Sequence, residues 1–131
     1  MDRIVFHIDC NNAFLSWEAS YRVSKGEAID LRSIPSVIGG DREKRRGIVL
    51  ASSYPAKKFG INTGMSLMEA CRLCSSLNIT PPDYDLYVKC SDALMQLLSG
   101  HTPLVERYSI DECFADVTGC FMGTATALRT A

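Results

Sequence analysis

Two kinds of hydrophobic periodicity divide this chain, and the places where each falls limit its fold. Residues 3–9 alternate, with Ile4, Phe6 and Ile8 pointing one way and Val5, His7 and Asp9 the other. That period of two predicts a strand with one apolar face whose other face ends in a carboxylate. Residues 105–117, V-E-R-Y-S-I-D-E-C-F-A-D-V, predict a second strand region: two strands around a turn at Asp111-Glu112. Helical spacing dominates between these ends. A chain that opens on a strand, carries helices and short strands, and reaches a late strand pair before a last partial helix predicts an α/β or α+β layer with an incomplete sheet.

The intervening elements are punctuated. Asn11 or Asn12 is placed to cap a helix on which Phe14, Trp17 and Tyr21 recur, closed by Lys25-Gly26. Residues 33–39 and 47–52 predict short strands, and residues 54–59 a short helix stopped by Gly60. Leu67, Ala70, Cys71 and Cys74 mark another helix. Pro81-Pro82 marks a break and a subdomain boundary. Leu86, Tyr87, Cys90, Leu94, Leu97 and Leu98 form a stripe ended by Gly100, and residues 122–131 begin a further helix.

Composition bounds the class. With 131 residues and 47% hydrophobic content, one domain's worth of core is available. No apolar run reaches the ~18 residues a membrane helix needs, and the start is not that of a signal peptide. The expectation is a cytoplasmic protein with no membrane partner. Net charge is −1, so bulk electrostatics does not point to nucleic acid. Arg42, Lys44, Arg45, Arg46, Lys57 and Lys58 are nevertheless clustered, either as a solvated loop or as a phosphate-contacting patch. Among six cysteines only Cys71 and Cys74 make a C-x-x-C, and neither His7 nor His101 completes a zinc spacing. They read as core thiols, and a cytoplasmic setting argues against disulfides.

Asp9 ends the first strand, and Asp111 and Glu112 sit at the late turn. Three carboxylates at strand ends suit hard divalent cations, which take oxygen ligands. Taken singly, an acidic pair at a turn is a hairpin tip and a strand-end aspartate is a cap.

Four segments give these carboxylates a context. F-H-I-D-C-N-N-A-F (residues 6–14), G-I-V-L-A-S-S-Y-P-A-K-K-F-G-I-N-T-G-M (47–65), P-P-D-Y-D-L-Y (81–87) and Y-S-I-D-E-C-F-A-D-V-T-G (108–119) occur in this order. They resemble the motifs of Y-family translesion DNA polymerases of the impB/mucB/samB group, in family order and at family-like spacing. The likeness is to the bacterial DNA polymerase IV type.

The resemblance implies an α+β fold: an incomplete ferredoxin-like polymerase palm with a small inserted fingers subdomain. It divides the chain into palm (1–12), fingers (13–82) and continued, truncated palm (83–131). It implies that Asp9, Asp111 and Glu112 are catalytic and hold two Mg²⁺ ions, with the Cys10 carbonyl as a further ligand. Phe14 falls where the family places a steric gate against a 2′-hydroxyl, next to Ala13 in the nucleotide site. Tyr54 and Lys57 fall where the family contacts the triphosphate. Lys57 stands where many relatives have arginine, which supplies charge without a bidentate fork. Asn12 and Ala13 depart from the aromatics common there. Ser109 has a structural role. The implied reaction is transfer of a dNTP to a primer 3′-hydroxyl on primer-template DNA during damage bypass, with a sliding clamp as partner of the full-length protein. The fragment alone is expected to be inactive. Two other readings fit part of the pattern: a nucleotidyl cyclase on the same palm, and a non-enzymatic module binding nucleotide or a repair partner.

Overall fold

A computed structural model describes residues 2–40 and 47–120. The basic Arg42, Lys44, Arg45 and Arg46 and the helix expected over 122–131 lie outside the described residues. The chain divides into two compact units, Met1–Cys10 with Val88–Ala131, and Asn11–Tyr87.

In the first unit, β1 (Val5–Asp9), β5 (Val105–Ser109) and β6 (Glu112–Asp116) form an antiparallel sheet in the order β1-β6-β5. The first and last strands among the described residues thus become neighbours. Register pairs Val5 with Asp116, His7 with Phe114 and Asp9 with Glu112, placing these six side chains on one face. Phe6, Ile8, Cys113 and Ala115 take the other face, where Cys113 and Ala115 are fully buried. Alternation along residues 3–9 therefore corresponds to a real difference between faces. The turn differs from expectation by one residue. Ile110 and Asp111 make it, and Glu112 is the first residue of β6, because its backbone pairs with Asp9.

The second unit carries α1 (Ala13–Ser24), β2 (Ser36–Gly39), β3 (Val49–Ser52), α2 (Tyr54–Lys58), α3 (Leu67–Leu73) and β4 (Asn78–Thr80). A 3-10 turn, Leu31–Ser33, precedes β2. The strand order is β3-β2-β4, with β2 antiparallel to β3 and parallel to β4. Neighbouring residues on β2 face opposite ways. Val37 joins a core of Val49, Ala56, Ile61, Leu67, Ala70, Cys74 and Leu77, while Ile38 joins Leu15, Ala19, Leu31 and Ala51. Val49 and Ala51 are two apart on β3 yet serve different clusters. The register shift between Ile38 and Gly39 explains this, since a bulge re-aims the strand that carries the extra residue.

Helix starts follow local chemistry. Ser53 caps α2 by accepting from the Ala56 N–H, with Pro55 in the first turn, and Ser66 caps α3 by accepting from the Glu69 N–H. The Asp83 carboxylate accepts from the Leu86 N–H at the start of α4 (Tyr84–Ser99). Asn12 departs from its expected role. It occupies the cap position of α1 with φ of 52° and makes no side-chain cap. Its amide instead donates to the Ser52 carbonyl at 2.9 Å, tying α1 to β3. All six cysteines are free; Cys74 is buried and Cys71 half-buried. Among the described residues no helix is long and apolar enough to cross a membrane.

Candidate active site

The paired ends of β1 and β6 bring all four of the residues predicted for a metal site to one end of the sheet through backbone geometry. Asp9 and Glu112 are register partners. One residue beyond Asp9, the Cys10 N–H donates to the Asp111 carbonyl at 2.9 Å, so the same ladder continues into the turn. Asp9 is exposed, and Asp111 and Glu112 are half-buried.

Ser109 links the acidic pair. Its hydroxyl lies 3.0 Å from Asp111 Oδ1 and 2.9 Å from Glu112 Oε2. One hydroxyl carries one proton, so it donates to one carboxylate at a time. Ser109 thus orients both acids without neutralising either. Its place in S-I-D-E, two and three residues before the acids, was the sequence signal for this bridge. On the other side, His7 Nε2 lies 3.3 Å from Glu112 Oε1. The His7 ring stacks on Phe114 with centroids 4.7 Å apart and 20° between planes. Tyr108 meets Phe114 edge-on at 5.9 Å. The Glu112 side chain is therefore approached from both neighbouring strands.

The donor set suits a hard cation. It offers three carboxylates and backbone oxygen, and its one thiol is held protonated. Burial, then the negative charges of Asp111 and Asp9, push the Cys10 thiol above its ordinary value. A neutral thiol is a poor ligand for a hard ion, whereas carboxylate and carbonyl oxygens are good ones. Among the described residues no three His, Cys, Asp or Glu side chains close around a common point. The side chains of Asp9, Asp111 and Glu112 are thus carried to one sheet end without forming a closed cage.

The remaining predicted residues lie in the second unit. Tyr54 and Lys57 are one turn apart on α2, both exposed, with Lys57 Nζ 5.0 Å from the Tyr54 ring centroid. Ser53 anchors that turn. Its hydroxyl donates to the Ile34 carbonyl at 2.7 Å and accepts from the Ala56 and Ser36 N–H groups. Ala13 is buried at the start of α1. Phe14 is half-buried, stacked on Tyr87 at 4.7 Å with 12° between planes and met edge-on by Tyr84 at 6.0 Å. It also packs on the Leu15 and Ile38 core cluster.

The sequence matches the model of the impB/mucB/samB family over residues 8–130. It is 52% identical over 123 residues to DNA polymerase IV of Clostridium acetobutylicum, a match covering 94% of this chain and 31% of that protein. The fold is similar to that of DinB from Sulfolobus solfataricus, with a TM-score of 0.72 and 28% identity over 88% of this chain and 32% of that one. It is also similar to a post-insertion binary complex of Dbh DNA polymerase, with a TM-score of 0.79 and 26% identity over 94% and 34%. The chain therefore spans about a third of the length of the proteins it matches. With a family model matched over nearly its full length and a Y-family polymerase fold, this chain belongs to the impB/mucB/samB family of Y-family polymerases.

Proposed function

We propose that the protein carrying this chain is a DNA-directed DNA polymerase of the translesion type, joining dNTPs to a primer 3′-hydroxyl on primer-template DNA. The observation that carries this reading is the register pairing of Asp9 with Glu112, continued by the backbone bond from Cys10 to Asp111. Acids far apart in sequence are delivered to one sheet end, as nucleotidyl transfer requires.

In this reading Asp9, Asp111 and Glu112, with the Cys10 carbonyl, would hold two Mg²⁺ ions. When bound, such ions neutralise phosphate oxygens and stabilise both the attacking and the leaving oxygen. The chain's own residues then position the reactants. Ser109 and His7 orient the carboxylates. Tyr54 and Lys57, exposed on α2, meet the triphosphate, Lys57 supplying charge and Tyr54 a hydroxyl. Phe14, beside Ala13, presents a ring that clashes with a ribose 2′-hydroxyl, so discrimination arises from steric exclusion. Residues 1–12 and 83–131 serve as palm and 13–82 as fingers. The full-length protein acts in the cytoplasm with a sliding clamp, and residues 1–131 alone do not extend primers.

Titration of the full-length protein with a fluorescent dNTP tests the reading. Mg²⁺-dependent binding that Asp111→Ala abolishes supports it. Binding that is indifferent to both Mg²⁺ and Asp111 refutes it. Consumption of NTP without DNA would replace it with a cyclase.

A further inference from the structure

Phe14, Glu18 and Arg22 stand one turn apart and form a single stripe on α1. The middle residue is unusual. Glu18 is 6% exposed, and carboxylates are rarely buried unless paired. Both its oxygens are engaged. Oε1 accepts from Arg22 Nε at 3.0 Å, and Oε2 accepts from the Tyr87 hydroxyl at 3.0 Å. Burial keeps that hydroxyl protonated, raising it well above the ordinary phenol value, so Tyr87 remains the donor.

Tyr87 is wholly buried, and its ring is the one stacked on Phe14. Trp17 and Tyr84 pack against both rings, at 6.3 and 6.1 Å from Tyr87. A tyrosine anchored only at its Cα can swing. One anchored at its hydroxyl as well has its ring position set at both ends. Phe14 has no polar atom of its own, so its plane is set by packing alone, and Tyr87 is the ring that meets it face to face, at 12° between planes, while Tyr84 meets it edge-on and Trp17 at a tilt. Packing alone does not call for a carboxylate here, because a buried ion pair adds little stability over an apolar residue of similar volume.

We propose that Glu18 is a positioning residue for sugar selection: it fixes Tyr87 by the hydroxyl, and through the stacked Tyr87 ring it fixes the attitude of Phe14. This rests on the reading of Phe14 as the group that excludes a 2′-hydroxyl. Glu18 acts on Phe14 through Tyr87, two contacts away.

The test is primer extension by the full-length protein with each dNTP and its matching rNTP, scored as the ratio of their kcat/KM values. General loss of folded enzyme cancels in that ratio. Phe14→Ala is the control for the underlying reading and must lower the ratio sharply. Glu18→Ala is expected to lower it about threefold to tenfold, the scale of a displaced aromatic contact. Tyr87→Phe keeps the ring and loses the hydroxyl, and is expected to match Glu18→Ala. The double variant should lose no more than either single one. Glu18→Gln keeps an acceptor oxygen and should recover most of the ratio. If Phe14→Ala lowers the ratio while Glu18→Ala and Tyr87→Phe leave it unchanged, the positioning role is wrong and the gate stands. If Phe14→Ala itself leaves the ratio unchanged, the gate reading fails, and this inference fails with it.

Discussion

Asp9 and Glu112 face each other across the antiparallel β1–β6 pair, two carboxylates in direct register on the same face of the sheet. Like charges so placed destabilise a sheet, by about 0.2–1 kcal/mol for a directly opposed pair. A fold under selection for stability alone would not keep them. Asp9→Asn is accordingly expected to raise stability by an amount of that order at low salt, and less at high salt, while abolishing activity. Urea unfolding at two ionic strengths checks the first half. A variant less stable than the parent at low salt would show that the pair is not in conflict.

Ser109 contributes through the acids it orients, its hydroxyl standing 3.0 Å from Asp111 and 2.9 Å from Glu112. Groups that orient metal ligands are worth about 10–100-fold in metal affinity or activity. Ser109→Ala should therefore shift the Mg²⁺ concentration for half-maximal primer extension upward by about that factor, with unfolding unchanged. Ser109→Thr, which keeps the hydroxyl, should lie closer to the parent. An unaltered Mg²⁺ dependence in Ser109→Ala would reduce the residue to a turn former.

The far end of the same sheet predicts acid sensitivity. The Asp116 carboxylate accepts from the Thr118 N–H at 3.0 Å and from Arg3 Nε at 2.9 Å. The hydrogen bonds from Thr118, then that from Arg3, hold it down to about 2. A carboxyl depressed in the folded state adds stability above its unfolded value, about 3.9, and loses it as pH falls through the folded value. The contribution of Asp116 should therefore be intact at pH 5 and fade between about pH 4 and about pH 2. Unfolding of Asp116→Asn and the parent should converge across that window. A constant difference between them down to pH 2 would contradict the assignment.

Gly39 is required by space rather than by torsion. A Cβ placed there would lie 2.8 Å from Leu67 Cδ2 and 3.0 Å from the Ile48 carbonyl oxygen. Leu67 is buried and the carbonyl is backbone, so neither yields freely. Gly39→Ala should cost about 1–3 kcal/mol by overpacking, read as a lower denaturant midpoint at unchanged slope. Recovery in Gly39→Ala combined with Leu67→Val would identify the Leu67 side chain as the clash.

Elements carried by strong local signals were legible in the chain. Strand β1, the α4 stripe from Leu86 to Leu98, the short helix stopped at Gly60 and the helix marked by Leu67 and Ala70 follow from spacing and stop signals within a few residues, while the Ser53 and Ser66 caps that start the last two were not read. Elements that exist only through distant partners were not. Strand β4 is three residues long and owes its form to parallel pairing with β2, which no local pattern encodes. Asn12 has the composition of a cap, yet its amide serves Ser52, forty positions on. The hairpin turn sits one residue early because Glu112 pairs with Asp9 across almost the whole chain. The acids themselves were visible as residues, and their meeting was visible only through the motifs in which they are set. Glu18 drew no attention in the sequence because a glutamate four residues after an aromatic is ordinary on a helix. What marks it is burial against Tyr87, a contact between residues on different elements.

In the proposed reading, the carboxylates at the paired ends of β1 and β6 carry nucleotidyl transfer. Single-nucleotide primer extension by the full-length protein, with Mg²⁺ varied and Asp111→Asn compared with the parent, decides whether they do. Extension is expected to require both DNA and Mg²⁺ and to fall by about a hundredfold or more in Asp111→Asn, the scale of removing a group worth several kcal/mol in the transition state. Parent-like extension by Asp111→Asn would contradict it.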